Sequence, residues 1–180
     1  MFDEDHEVAR DRGELRARQE FDKTVSALTA GDRALAAFYA GALAHHLGDL
    51  SQFCHVMGAD SHWGSEDDAL HGNYEAAVEK TIQFTSRTST LFETFIAPVA
   101  VGGSTPEEIA RTVALRTERG TGNTDRNPGW MHARYAGLKQ QGIHLQPDQW
   151  DVPFRNQTGQ DINVSANGIA KLLKMIVDSG

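Results

Sequence analysis

The chain has 180 residues and a composition ordinary for a globular protein, long enough to bury a core of its own. Its net charge of −8 argues against a broad electrostatic grip on nucleic acid or anionic lipid, although a bound divalent ion would reverse the sign of its own site. No apolar run approaches the roughly 20 residues of a membrane span, and the opening MFDEDHEVARDRGELRARQ lacks the basic start and apolar stretch of a signal peptide, which leaves the compartment open.

The periodicity is helical nearly throughout, with no convincing strand pair. Leu15, Phe21, Val25, Ala27 and Leu28 give a helical stripe over Glu14–Thr29. Gly31 breaks it, and Asp32 is suited to cap a second helix from Arg33 to about Leu47. Gly48 interrupts, after which Leu50 to Met57 continues at an angle, and Gly58 to Asp68 reads as a polar loop containing His62 and Trp63. A third helix begins near Ala69 or His71 and runs to about Glu93. In Ser104-Thr105-Pro106-Glu107-Glu108, Thr105 caps the next helix, Pro106 occupies its first position and Glu108 completes a capping box. That helix ends near Gly120, and a turn-rich stretch to Pro128 leads to a helix over Gly129–Gln141. Gly142 to Asp161, with Pro147, Pro153 and Gly159, reads as mostly loop, and Ile162–Asp178 closes the chain as a helix. The expectation is an all-α, single-domain helical bundle spanning 1–180.

Cys54 is the only cysteine, which excludes an internal disulfide and every zinc site built on paired thiolates. Any metal must therefore be held by histidines and carboxylates. His45 and Asp49 lie four apart near the end of one helix, and so project from one face a turn apart. His71 and Glu75 repeat the relation at the start of the next long helix, with His55 between the pairs. One such pair alone is usually a surface contact. Two facing pairs with a fifth group between them form a reasonable metal centre on facing helices of a bundle, and imidazole with carboxylate suits zinc. His46 points about 100° from His45 and is expected to pack or meet solvent. His62 and Trp63 could rim a pocket or simply pack. Tyr74 is expected to face the core and Cys54 to serve as a small apolar residue.

Phe38 to His55, FYAGALAHHLGDLSQFCH, followed by His71-Gly72-Asn73-Tyr74-Glu75, resembles the bacterial zinc-dependent phospholipases C. Their hallmark is a helix close to FYLGxxxHYLGDxxQPxH, then a loop and H-x-x-x-E. The likeness continues more weakly through Thr105-Pro106-Glu107-Glu108 into the last helix, and covers the chain from about Phe21 onward. Related single-strand-specific nucleases share the first three ligands but usually carry aspartate where Glu75 stands, which tilts the reading toward the phospholipases.

The resemblance implies that His45 and Asp49 bind one zinc, with Asp49 bridging to a neighbour as the catalytic carboxylate. It implies that His55, His71 and Glu75 hold another, with up to three zinc ions in all and at least one expected. The implied activity is hydrolysis of phospholipid head-group phosphodiesters by metal-activated water, with peripheral membrane contact at most. Single-stranded nucleic acid is the alternative substrate, and a non-catalytic zinc domain the alternative role. Family habit further implies a secreted or periplasmic protein.

Two departures qualify the likeness. The family's N-terminal tryptophan and upstream ligands have no full counterpart: no tryptophan precedes Trp63, and too few residues precede His45. His6, in Phe2-Asp3-Glu4-Asp5-His6, faintly matches the surroundings of the family's upstream histidine, although an exposed terminal histidine is the plainer reading. Phe53 also stands where proline is common, which should redirect the backbone before His55.

Overall fold

A computed structural model describes residues 12–56, 68–82, 97–120 and 127–179 of the chain. His6, His62, Trp63 and the expected extension of the third helix to Glu93 lie outside the described residues. Within them the fold is all-α. The helices are α1 (Arg12–Thr29), α2 (Arg33–Leu50), the single turn α3 (Phe53–Val56), α4 (Asp68–Ile82), α5 (Pro106–Arg119), α6 (Pro128–Gln140) and α7 (Val152–Ser179). No helix among the described residues is long and apolar enough to cross a membrane.

The local signals for helix starts hold where they are strongest. Asp32 accepts a hydrogen bond from the Leu35 N–H at 3.0 Å. Thr105 accepts from the Glu108 N–H while the Glu108 carboxylate accepts from the Thr105 N–H, a complete capping box with Pro106 in the first turn. Two expectations are corrected. Gly48 does not interrupt α2, which runs on to Leu50. Residues 152–161 are helical, not loop: α7 begins ten residues earlier than expected, with the Asp151 carboxylate accepting from the Phe154 N–H at 3.1 Å. Pro153 sits in the first turn, where a missing N–H leaves no hydrogen bond broken.

Two groups of buried side chains fill the interior. In the first, Leu43 and Leu47 of α2 meet Ile109 and Val113 of α5, Ala17 of α1 and Leu172 of α7. Gly168 lets α7 approach closely here, since a β-carbon would stand 3.0 Å from Val113 Cγ2 and 3.3 Å from Leu47 Cδ2. The second group is mostly aromatic: Phe53, Tyr74, Tyr135, Trp150 and Phe154, joined by Leu70 and Met131. α7 serves both, its start in the second and its later turns in the first.

One irregular segment is held by side chains. Asn163 and Asn167 of α7 accept from the N–H groups of Ala97 and Val99, and Lys171 donates to the carbonyls of Val101 and Gly103. Spaced four apart, these three residues give the extended backbone of 97–103 the partners a neighbouring strand would supply.

Candidate metal centre

The site lies where the two buried groups meet. α3 is one turn long, with Phe53 buried in the aromatic group and Val56 in the aliphatic one. His55 projects between these two anchors. α4 carries His71 and Glu75 on one face, while Tyr74 between them turns inward, 3% exposed and ring to ring with Phe53 at 4.8 Å. Two short stretches of sequence, sixteen to twenty residues apart, are thereby brought face to face.

His71 Nε2 stands 2.9 Å from Glu75 Oε1 and 2.9 Å from His55 Nε2. His55 Nε2 is 3.2 Å from the same Glu75 oxygen. Hydrogen bonds cannot satisfy this triangle. A neutral imidazole nitrogen carries either one proton or one lone pair. If both nitrogens donate to Glu75, two N–H groups face each other; if one donates to the other, it is lost to the carboxylate. Three donor atoms converging on one point are satisfied together by a cation. Around a tetrahedral ion with bonds of about 2.0–2.1 Å, neighbouring donors stand roughly 3.3 Å apart, close to the edges seen here. The residues therefore fit a metal ion: His55, His71 and Glu75 offer one ligand atom each within 4.8 Å of one another.

Burial raises the proton affinity of the Glu75 carboxyl, but hydrogen bonds from His55 and His71 and their charge outweigh it, leaving its pKa below the ordinary carboxylate value. Glu75 thus stays anionic, the form a metal needs. The three side chains remain a quarter to two-fifths exposed, so the site is open to solutes.

The other two expected ligands stand differently. Asp49 is within reach, with Oδ1 3.7 Å from His55 Nε2 and Oδ2 3.6 Å from His45 Nε2. It lies between the triad and His45, where a bridging carboxylate would. His45 is 81% exposed and reaches the cluster only through Asp49 in the contacts seen among the described residues. The five residues thus form a converged triad and an outlying pair.

Several nearby residues have structural roles. The His46 ring is pinned to α1: Nε2 lies 2.8 Å from the Gly13 carbonyl, so Nε2 carries the proton and donates it. Burial holds its pKa below the ordinary histidine value, against the opposing pull of that bond. Cys54 is half-buried against the aromatic group. Asp161 of α7, which no motif in the sequence singles out, is buried; burial pushes its pKa well above the ordinary value, although the amide of Gln157 donates to it at 2.8 Å. Its buried helical neighbours Gln157, Thr158 and Ser165 are polar as well, so no apolar stripe in the sequence sets it apart, and residues 152–161 first have to be recognised as helix.

No protein-family model matches the chain, and no curated protein or solved structure matches it either.

Proposed function

We propose that the chain is a zinc-dependent phosphodiester hydrolase of the phospholipase C type, acting on phospholipid head groups. The observation that carries this reading is the convergence of His55, His71 and Glu75, in the order and spacing that resemble that family. A zinc ion bound there supplies a Lewis acid and a bound water acidic enough to ionise near neutral pH. Three protein donors hold such an ion and leave a position for water or a phosphate oxygen. Glu75 contributes one negative charge, so the loaded site keeps a net positive charge to meet a phosphodiester. Asp49, with Oδ1 3.7 Å from His55 Nε2, would accept a hydrogen bond from a water at such an ion and orient it. The open rim gives access to a head group at a membrane surface by peripheral contact alone. On the same reading the protein works in a secreted or periplasmic setting.

Elemental analysis of the purified chain, followed by assays on phosphatidylcholine vesicles and on single-stranded DNA, tests the proposal. At least one zinc per chain, with lipid hydrolysis abolished in Glu75→Gln, is the expected result. Cleavage of DNA alone reassigns the chain to the nuclease branch. Bound zinc with neither activity makes it a non-catalytic zinc domain.

A further inference from the structure

α4 presents its two ligands from the edge of its buried face. Leu70, Tyr74 and Ala77 are buried at helical spacing. His71 and Glu75 each follow one of these residues by a single position, about 100° round the helix. Where the ligands point is therefore set by how α4 is turned about its own axis. A turn of about 10° would carry a donor atom roughly 6 Å from that axis through about 1 Å, while a working site needs its groups held within about 0.5 Å. Hydrophobic burial is non-directional, so burying Leu70 and Ala77 resists withdrawal of α4 but leaves small turns open.

Tyr74 supplies direction. Its ring is enclosed by Phe53, Tyr135, Trp150 and Phe154 at centroid distances of 4.8, 5.3, 6.0 and 6.2 Å. Its hydroxyl donates to Thr158 Oγ1 on α7 at 3.3 Å, a bond between two buried side chains 84 residues apart. A buried hydroxyl left unpaired is costly, so α4 settles where the bond closes. Phe53 sets α3 against α4, whereas Thr158 sets α4 against the early turns of α7. Tyr135, on α6 in the same aromatic group, makes an equivalent bond by donating to the His144 carbonyl at 3.2 Å, but α6 carries none of the three ligands.

We propose that Tyr74, through its hydroxyl on Thr158, is a positioning residue of the metal centre: it fixes the rotation of α4 that aims His71 and Glu75 at His55. The inference rests on the reading of these three residues as zinc ligands, and adds the pair of side chains that holds two of them in place. Groups outside the ligand shell commonly carry about 10–100-fold in metal affinity. The Tyr74 bond acts at one remove and is long for a hydroxyl pair, so the lower figure applies.

The zinc affinity of the full chain, measured by competition with a chromophoric chelator well below the melting temperature, tests this. Tyr74→Phe and Thr158→Val each break the bond with little change of volume, and each should weaken zinc binding about tenfold. Thr158→Ser keeps the acceptor and should bind zinc as wild type does. The double variant should bind no more weakly than either single one, since all three lack the same bond. Tyr135→Phe should lower the melting temperature of the zinc-free chain, as Tyr74→Phe does, yet leave zinc affinity unchanged. With cobalt(II) as the probe, the visible absorption that marks a tetrahedral ion should weaken in Tyr74→Phe and Thr158→Val but not in Tyr135→Phe. The positioning role is overturned if Tyr74→Phe or Thr158→Val, folded by circular dichroism, binds zinc as tightly as wild type. It is overturned equally if Tyr135→Phe loses as much affinity as they do. A wild-type chain that takes up no zinc sinks this role together with the proposed function. A wild-type chain that binds zinc and hydrolyses phosphatidylcholine, with Tyr74→Phe binding zinc equally well, sinks this role alone.

Discussion

Glu75→Gln isolates the metal centre, because it removes a charge and a ligand oxygen while nearly preserving volume. In the wild-type triad Glu75 Oε1 stands 2.9 and 3.2 Å from the two imidazole nitrogens, so it is one of three converging donors. At free zinc 100 times the dissociation constant, binding stabilises the fold by about 2.7 kcal/mol. For a chain of this size that raises the melting temperature by roughly 5–11 °C. Loss of even an outer partner of a metal site weakens affinity by about 10–100-fold, and loss of a ligand should reach at least the upper figure. At the same zinc concentration the stabilisation then falls to about 0.4 kcal/mol, a shift of roughly 1–2 °C. Thermal unfolding with and without zinc reads this directly. Glu79→Gln, one turn further along α4 and exposed, should keep the full shift. If Glu75→Gln also keeps it, the triad is not the zinc site.

The remaining predictions concern the scaffold and its titration. Gly103 adopts φ +97°, and a β-carbon there would stand 2.7 Å from Glu108 C and Ile109 N. Gly103→Ala should therefore cost about 2–4 kcal/mol in urea unfolding, whereas Gly137→Ala, in the open interior of α6, should gain about 0.5–1 kcal/mol. The raised pKa of Asp161 means that the folded state holds this proton more tightly than the unfolded one. Its contribution is complete below the ordinary carboxylate pKa and is lost as pH rises through the folded value. Asp161→Asn should be more stable than wild type at pH 8, with the difference shrinking toward pH 4. His46 has the opposite sign: its depressed pKa gives stability above the ordinary value of 6.5 that is lost as pH falls through the folded value. His46→Gln, which keeps a donor for the Gly13 carbonyl, should flatten that slope below pH 6.5.

What the sequence discloses is local. Thr105, Pro106 and Glu108 act within one turn, so their capping box is legible from the residues alone. So are the two pairs at i, i+4, because helical geometry by itself puts such residues on one face. The start of α7 is not legible. Pro153 and Gly159 suggest loop, yet a proline in the first turn leaves no bond broken, and Gly159 is buried where neighbouring packing outweighs its propensity. Nor can spacing say which of the five candidate ligands converge. That depends on the turn after α2, which carries His55 toward α4 and leaves His45 facing solvent. The tie from His46 to Gly13 spans 33 residues and has no periodic signature.

The placement of His55 leads to a last prediction. α3 is too short to hold its own shape, since a single turn has little intrahelical bonding to set against its entropy. Its geometry is imposed by Phe53 and Val56, 1% and 0% exposed, which anchor it to different buried groups. Phe53 packs edge-on to Tyr74 at 4.8 Å, so one contact fixes α3 and the ligand-bearing turn of α4 against each other. Phe53→Ala should cost about 3–5 kcal/mol. It should also weaken zinc binding at temperatures where the variant is still folded, because His55 loses its register with His71. Phe53→Leu fills more of the space and should lose less of both. Zinc titrations well below the melting temperature separate the two effects. If Phe53→Ala binds zinc with wild-type affinity while folded, α3 is not what positions His55, and the triad owes its geometry to α4 alone.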